Sequence, residues 1–244
     1  MTVWRIVDSG PLPTARSAAV DEAVLESHGL GLVPDTLHFY SRAQPTVSLG
    51  RFQKVTETVD MRACKARGVA IVRRRSGGGS IYTDSGQLMF AVITSQTTLG
   101  NLPHNSFETV CGALASALSR MGVDARYRPV NDIEIGGRKV SGSAQLRRRG
   151  SVLHHGTILV DTDLETMDLV LRNQTLIPSE RVTTLSRVLG AAPDIEIVKR
   201  HATESIEEAL GARFERNDLT DGELRLIDEY VESFYGRDDW NLKL

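Results

Sequence analysis

Cysteine is scarce in this chain: 244 residues contain only two, Cys64 and Cys111. Neither stands in a CxxC or Cys/His spacing, so the pattern of a structural zinc site is missing. A chain of this length needs no disulfide scaffold. Both cysteines fall in helix-like stretches, where they read as small buried apolar residues. Long apolar runs are also missing. No stretch has the pattern of a bilayer span, and the N-terminus lacks the basic region and apolar core of a signal peptide. The expectation is a cytoplasmic protein that engages no membrane. Charge of one sign is missing too. Lys and Arg total 29 against 31 Asp and Glu, a formal net charge of −2. Without a global basic field there is no call for nucleic acid, and any cation cluster must act locally. No internal repeat or low-complexity tract is present.

What is present is ordinary for a folded domain, with 41% hydrophobic and 25% charged residues. Val3–Val7 reads as a strand, broken by Pro11 and Pro13. Thr14 is placed to cap a helix carrying Ala18, Ala19, Ala23, Val24 and Leu25 that ends near Gly29. Strands follow at 37–40 and 46–49, a short helix at 59–67 stopped by Gly68, and a buried strand at 69–72. Residues 87–93 form another strand. Asn105 with Glu108 has capping-box spacing ahead of a helix with Val110, Leu114 and Leu118 on one face. Gly136-Gly137 between Ile133–Ile135 and Arg138–Val140 marks a type I′ hairpin. A turn at Arg149-Gly150 leads into Val152–Val160, completing a three-strand meander. Thr162 with Glu165 and Thr220 with Glu223 repeat the capping-box spacing. Strands and helices mix without a steady βαβ rhythm, which predicts an α+β fold rather than a doubly wound parallel sheet.

Two segments carry the chemistry. The first is RRRSGGGSIYTD, from Arg73 to Asp84. Bare backbone after a strand lets an anion reach main-chain N–H groups, and arginines add paired donors. The P-loop pattern GxxxxGK[ST] and the dinucleotide fingerprint GxGxxG are both absent. Ser80-Ile81-Tyr82 continues as a strand rather than opening a helix. On composition alone, a flexible turn with solvated arginines is the competing reading. The second segment is RKVSGSAQ, from Arg138 to Gln145. Strict alternation puts Lys139, Ser141 and Ser143 on one face, with Arg138 and Val140 on the other. A lysine among small residues has room above it for a substrate. His154 and His155 are neighbours on a strand, point to opposite faces and do not share a metal ion easily.

Together these segments resemble the lipoate–protein ligase A family. The matching pieces are SLGRFQ (Ser48 to Gln53), RRRSGGGSIYTDSGQLMF (Arg73 to Phe90), NDIEIGGRKVSGSAQ (Asn131 to Gln145) and LHHGTILV (Leu153 to Val160), in matching order and spacing. The joint occurrence of RRxSGGG and GRKxSGSAQ is the specific part. The resemblance implies the catalytic fold shared by biotin and lipoate ligases, a mixed sheet flanked by helices. It implies that residues 1–244 are one catalytic domain without a C-terminal accessory domain, like two-protein ligases whose accessory subunit is separate. It implies ATP and Mg²⁺, with lipoate or octanoate activated to acyl-AMP. The acyl group then passes to a lysine of a lipoyl carrier, such as a dehydrogenase E2 domain or a glycine-cleavage H protein. Carried onto this sequence, Lys139 is the catalytic lysine. Arg74, Ser76, Gly77, Gly78, Gly79, Ser80, Ile81 and Tyr82 hold the adenylate. Asn131, Asp132, Ser141, Gly142 and His155 complete the site, and Asp132 is the Mg²⁺-side carboxylate.

Three rivals differ in chemistry. An octanoyl- or lipoyl-transferase of the same fold uses a cysteine thioester and no ATP. In the relatives nearest this motif pattern that cysteine precedes the GRK hairpin, where this chain reads Arg128-Pro129-Val130-Asn131-Asp132-Ile133. Biotin ligation interleaves arginines among the glycines differently. A non-catalytic lipoyl-nucleotide-binding regulator is the third.

Overall fold

The computed structural model describes residues 2–172 and 177–243. The chain opens with β1 (Thr2–Leu12), α1 (Thr14–Gly29), β2 (Thr36–Arg42) and β3 (Thr46–Leu49). Two short helices, α2 (Val55–Thr58) and α3 (Met61–Arg67), lead to β4 (Ala70–Arg73), β5 (Ile81–Thr83) and β6 (Gln87–Ser95). Helix α4 (Pro103–Ser119) precedes β7 (Ala125–Arg128), β8 (Asp132–Ile135), β9 (Arg138–Arg148) and β10 (Ser151–Leu159). Then come α5 (Leu164–Val170), α6 (Pro178–Arg181), α7 (Leu185–Leu189), α8 (Ile195–Leu210) and β11 (Ala212–Arg216). Helix α9 (Asp221–Tyr230), a π-helical turn Val231–Tyr235 and α10 (Asp238–Asn241) follow.

Eight strands form a mixed sheet in the order β11-β1-β2-β6-β10-β9-β8-β7, and β4-β3-β5 form a separate three-stranded sheet. Strand β1 pairs in parallel with β11 and β2, whereas β6 to β10 are joined antiparallel. Helices α4 and α8 pack together on the large sheet: Val110, Leu114 and Leu118 share a core with Val198, Ala202 and Ile206. Their i, i+4, i+8 spacing makes this one continuous stripe, and removing each large aliphatic side chain from water contributes about 2 kcal/mol. A second core joins Ala19, Val20 and Ala23 of α1 to Ile227 and Tyr230 of α9, with Met89 of β6. Strand β6 is therefore buried on both faces, which is why 87–93 reads as an unbroken apolar run. The small sheet has its own core, where Val47, Leu49 and Tyr82 meet Leu164, Met167 and Val170 of α5.

The α+β architecture, the hairpin and the meander agree with the sequence. Gly136 and Gly137 adopt φ of 58° and 76°, as a type I′ turn needs. Thr220 and Glu223 form a full capping box at α9. The other two capping boxes do not form. Helix α4 starts at Pro103, two residues before Asn105, because proline already suits a first helical turn. Asp163 rather than Thr162 caps α5, its carboxylate accepting from Thr166 N. Thr14 does not cap α1 either; its hydroxyl pairs with that of Thr46, 2.8 Å away. Strand β1 runs through Pro11 to Leu12, with an irregular register against β2 between Asp8 and Pro11.

Candidate active site

A cavity of about 580 Å³ lies between the large sheet and the small one. Its closed end is formed by buried Ser17, Asp21, Tyr40, Arg42 and Met89. Exposed Arg128, Arg172 and Arg181 stand at its mouth. The glycine-rich turn and the GRK hairpin, far apart in sequence, line opposite parts of this one space.

Each of the three consecutive arginines has protein partners. Arg73 is fully buried, and its guanidinium donates to the backbone carbonyls of Gly50 (3.2 Å), Arg51 (3.4 Å) and Gln53 (2.6 Å). Arg74 donates to the carbonyls of Ser48 (2.8 Å), Gly77 (2.8 Å) and Gly79 (2.7 Å). It holds the turn from inside, and burial followed by the nearby Arg42 charge lowers it to about 10. Arg75 lies 3.0 Å from the Glu22 carboxylate and over the Phe234 ring. The solvated-turn reading is thereby ruled out. Gly78, at φ 94°, is the glycine of the three that needs left-handed backbone. Gly50 is the other indispensable one: a Cβ there would stand 1.9 Å from Gly78 O.

Lys139 reaches the cavity from β9, with Nζ 2.6 Å from Asp132 Oδ1. The contact is an ion pair between two partly exposed side chains. The strict alternation expected for β9 fails here. Ile133 pairs with Ser141 but Glu134 pairs with Lys139, a β-bulge that leaves one residue of β9, Val140, without a partner on β8. Lys139 and Gly142 consequently share the cavity face, and a Cβ on Gly142 would meet Lys139 Nζ at 2.3 Å. Ser141 turns to the core opposite Ile133, fully buried and with its hydroxyl unpartnered. It is not a cavity residue.

Arg74, Gly78, Gly79, Ser80, Ile81 and Tyr82 line the cavity from one side. Asn131, Asp132, Lys139, Gly142 and His155 line it from the other. Ser76 and Gly77 do not line it. Ser76 instead hydrogen-bonds His155 Nε2 at 2.9 Å, while His155 Nδ1 meets Asp21 Oδ2 at 2.9 Å. His154 points the other way, as expected, into the core beside Phe90 and Phe107, where burial pushes it down to about 3. Cys111 sits behind the sheet, 3.6 Å from Ser143 Oγ, and burial raises its thiol to about 11; burial raises Cys64 equally. Neither thiol lines the cavity.

The sequence reading missed Asp21, Tyr40 and Arg42. Asp21 is the hub, accepting from the Tyr40 hydroxyl at 2.9 Å and meeting both His155 and His38. A signal existed: Asp21-Glu22 interrupts an otherwise apolar helix face, and charges there need partners. Burial alone would raise the Asp21 carboxyl, but hydrogen bonds from His155 and His38 overcome it and hold the group well below the usual range. A depressed carboxyl stabilises the fold above its ordinary value near 3.8 and loses that contribution as pH falls toward the folded value. Asp21→Asn is therefore expected to cost about 2 kcal/mol at neutral pH. The deficit should shrink below about pH 4. Urea melts of both proteins from pH 7 to pH 2 check this; a deficit constant across the range would contradict the assignment.

A family model described as the lipoyl protein ligase A/B catalytic domain matches residues 13–207. The chain belongs to this family. Among relatives of the family member, the octanoyltransferase LipM of Kyrpidia tusciae is 34% identical, with 100% of both chains covered. The lipoate–protein ligase A subunit 1 of Thermoplasma acidophilum is 31% identical, covering 96% of this chain and 94% of that one. A crystal structure of lipoate–protein ligase A bound with ATP superposes with a TM-score of 0.89 at 30% identity, covering 99% of each chain. The biotin protein ligase of Aquifex aeolicus shares the fold alone, with a TM-score of 0.51 at 15% identity, covering 86% of this chain and 70% of that one. The biotin/lipoate ligase fold expected from the motifs is the fold found. Among the described residues, no helix is long and apolar enough to cross a membrane.

Proposed function

We propose that this family member activates lipoate or octanoate with ATP and transfers the acyl group to a lysine of a lipoyl carrier protein. The observation carrying this reading is a cavity lined by an ammonium, Lys139, ion-paired with Asp132, and with no thiol in its lining. A thioester route needs an accessible thiolate, and burial keeps both cysteines protonated. In the adenylation step the acid's carboxylate oxygen attacks the α-phosphorus of ATP and pyrophosphate leaves. In the transfer step the carrier amine attacks the acyl carbonyl and AMP leaves, the amine giving up a proton. Lys139 faces the negative charge that develops on the carbonyl and phosphate oxygens in both steps.

Residues around Lys139 fit the partners this requires. The Gly77–Gly79 turn, with Ser80 to Tyr82, borders the adenylate, with Asn131 and His155 across the cavity. Asp132 brings a carboxylate to the cavity, a hard-oxygen donor of the type suited to one position around Mg²⁺, with its Oδ1 shared with the Lys139 ammonium; the other ligands would be water and phosphate. Bound there, Mg²⁺ would neutralise phosphate charge. Among the described residues, no cluster of three or more metal-binding side chains exists, which fits an ion held mostly by its nucleotide. The arginines at the mouth suit a carrier domain with acidic character around its lysine. The Thermoplasma relative is named as a subunit, and this chain likewise is proposed to act with a separate accessory subunit for full adenylation.

A second reading, ATP-independent octanoyl transfer, is favoured by the full-length similarity to LipM. One experiment separates them. The purified chain is given a lipoyl carrier with either preformed octanoyl-AMP or octanoyl-carrier protein and no ATP. Transfer from octanoyl-AMP alone is expected. Efficient transfer from octanoyl-carrier protein would instead install the second reading. Pyrophosphate–ATP exchange, with and without the accessory subunit, tests the adenylation step and excludes or admits a non-catalytic regulator.

A further inference from the structure

The family match stops at residue 207, yet the segment beyond it is tied to the glycine-rich turn. Strand β4 is an edge of the small sheet, its inner side bonded to β3. An edge strand leaves outward N–H and C=O groups that must find other partners when buried. At Arg73, the last residue of β4, both are satisfied by the C-terminal segment. Arg73 N donates to Asn241 Oδ1 at 2.9 Å, and Trp240 Nε1 donates to Arg73 O at 2.9 Å.

The tie extends in both directions. Asn241 Nδ2 donates to Tyr235 O at 3.0 Å, and the Tyr235 hydroxyl donates to Glu22 at 2.5 Å. Glu22 faces Arg75 on the other side of Arg74, and Arg75 stacks on Phe234. Inward, the Arg73 guanidinium holds the carbonyls of Gly50, Arg51 and Gln53. Arg51 N donates to Ser76 O at 3.1 Å, and Gly50 abuts Gly78. An unbroken chain of contacts thus runs from Trp240 and Asn241 to the turn that borders the cavity. Neither residue lines the cavity itself.

We propose that Trp240 and Asn241 are positioning residues that hold the glycine-rich turn in the geometry that receives the acyl-adenylate. The ligand identity rests on the function proposed above; the mechanical link does not. Without these two side chains, the outward N–H and C=O of Arg73 lose their partners, and the turn gains freedom that ligand binding must then remove. A chain ending near residue 236 would keep the α1–α9 packing but lose this tie.

The test uses the full-length chain carrying Trp240→Phe, which removes the N–H donor and keeps a ring, and Asn241→Ala. Val198→Ala in α8, far from the turn, serves as a control for stability loss alone. Backbone hydrogen exchange is followed at residues 74–80, and octanoyl-AMP binding by calorimetry. Both tie variants should exchange about tenfold faster over 74–80, with β11 unchanged, and bind octanoyl-AMP about tenfold more weakly. The control should lower the melting temperature without either change. Unaltered exchange over 74–80 would overturn the proposal, whatever the activity. Faster exchange with unaltered octanoyl-AMP affinity would overturn it as well. If the wild-type chain fails to bind octanoyl-AMP, the ligase reading falls, while the exchange data still decide whether this segment holds the turn.

Discussion

Lys139→Ala is expected to lower acyl transfer from lipoyl-AMP, and octanoate-dependent pyrophosphate exchange, by about three orders of magnitude. An ammonium about 4 Å from developing negative charge in a partly shielded cavity is worth on the order of 4 kcal/mol before desolvation, which corresponds to that factor in rate. Lys139→Arg is not expected to restore activity. The ammonium sits where Gly142 leaves no side chain, since a Cβ there would come within 2.3 Å of Nζ, and a planar guanidinium is wider. The fold should survive either change. Lys139 and Asp132 are each partly exposed, and such pairs contribute little to stability. Melting temperatures within about 2 °C of wild type, together with single-turnover transfer rates, check both halves. A Lys139→Ala protein that transfers at near-normal rates removes the basis for the proposed chemistry.

Gly50→Ala is expected to be nearly as damaging to activity, through geometry rather than charge. The new methyl would lie 1.9 Å from Gly78 O and 2.9 Å from Gly78 C. Those atoms are backbone and cannot rotate aside, so the glycine-rich turn or the 50–53 loop must shift. A shift near 1 Å at a reacting site costs about 100-fold in rate. Overpacking of this kind also costs about 1–3 kcal/mol of stability. Gly142→Ala is the informative comparison, because the atom met there is the far end of a flexible lysine. It should lower activity while leaving the melting temperature nearly unchanged. Steady-state kinetics and calorimetric melts of the two variants, side by side, distinguish displaced backbone from displaced side chain. Wild-type kinetics for Gly50→Ala would mean that the turn does not define the site.

Much of the site could be read along the chain. The glycine-rich turn, Lys139, Asn131-Asp132 and His155 are legible because each belongs to a short motif whose residue types already imply bare backbone, charge or a polar loop. Element types were legible for the same local reason: β6 reads as a buried strand and α4 shows an i, i+4 stripe. Helix starts were less legible, since the cap depends on which of several polar residues turns inward. At α5 Asp163 wins over Thr162, and at α4 Pro103 sets the start ahead of Asn105. The face of Ser141 was misread because a β-bulge changes the count by one, and nothing in GRKVSGSAQ announces a bulge.

The order of residues along the chain by itself determined the α+β class, the pairing of a glycine-rich turn with a lysine hairpin, and membership in a family of lipoyl and octanoyl transfer enzymes. Those properties rest on patterns within a few residues of one another. Only the tertiary structure decided that Asp21 of α1 anchors His155 of β10, that Arg73 and Arg74 hold carbonyls rather than open ligand positions, and that Trp240 and Asn241 close the edge of β4. These are contacts between segments up to 168 positions apart. A charged or polar side chain declares only that it needs a partner. Which partner it finds is set by how the sheets and helices stack, because burial makes any unpaired group too costly to keep.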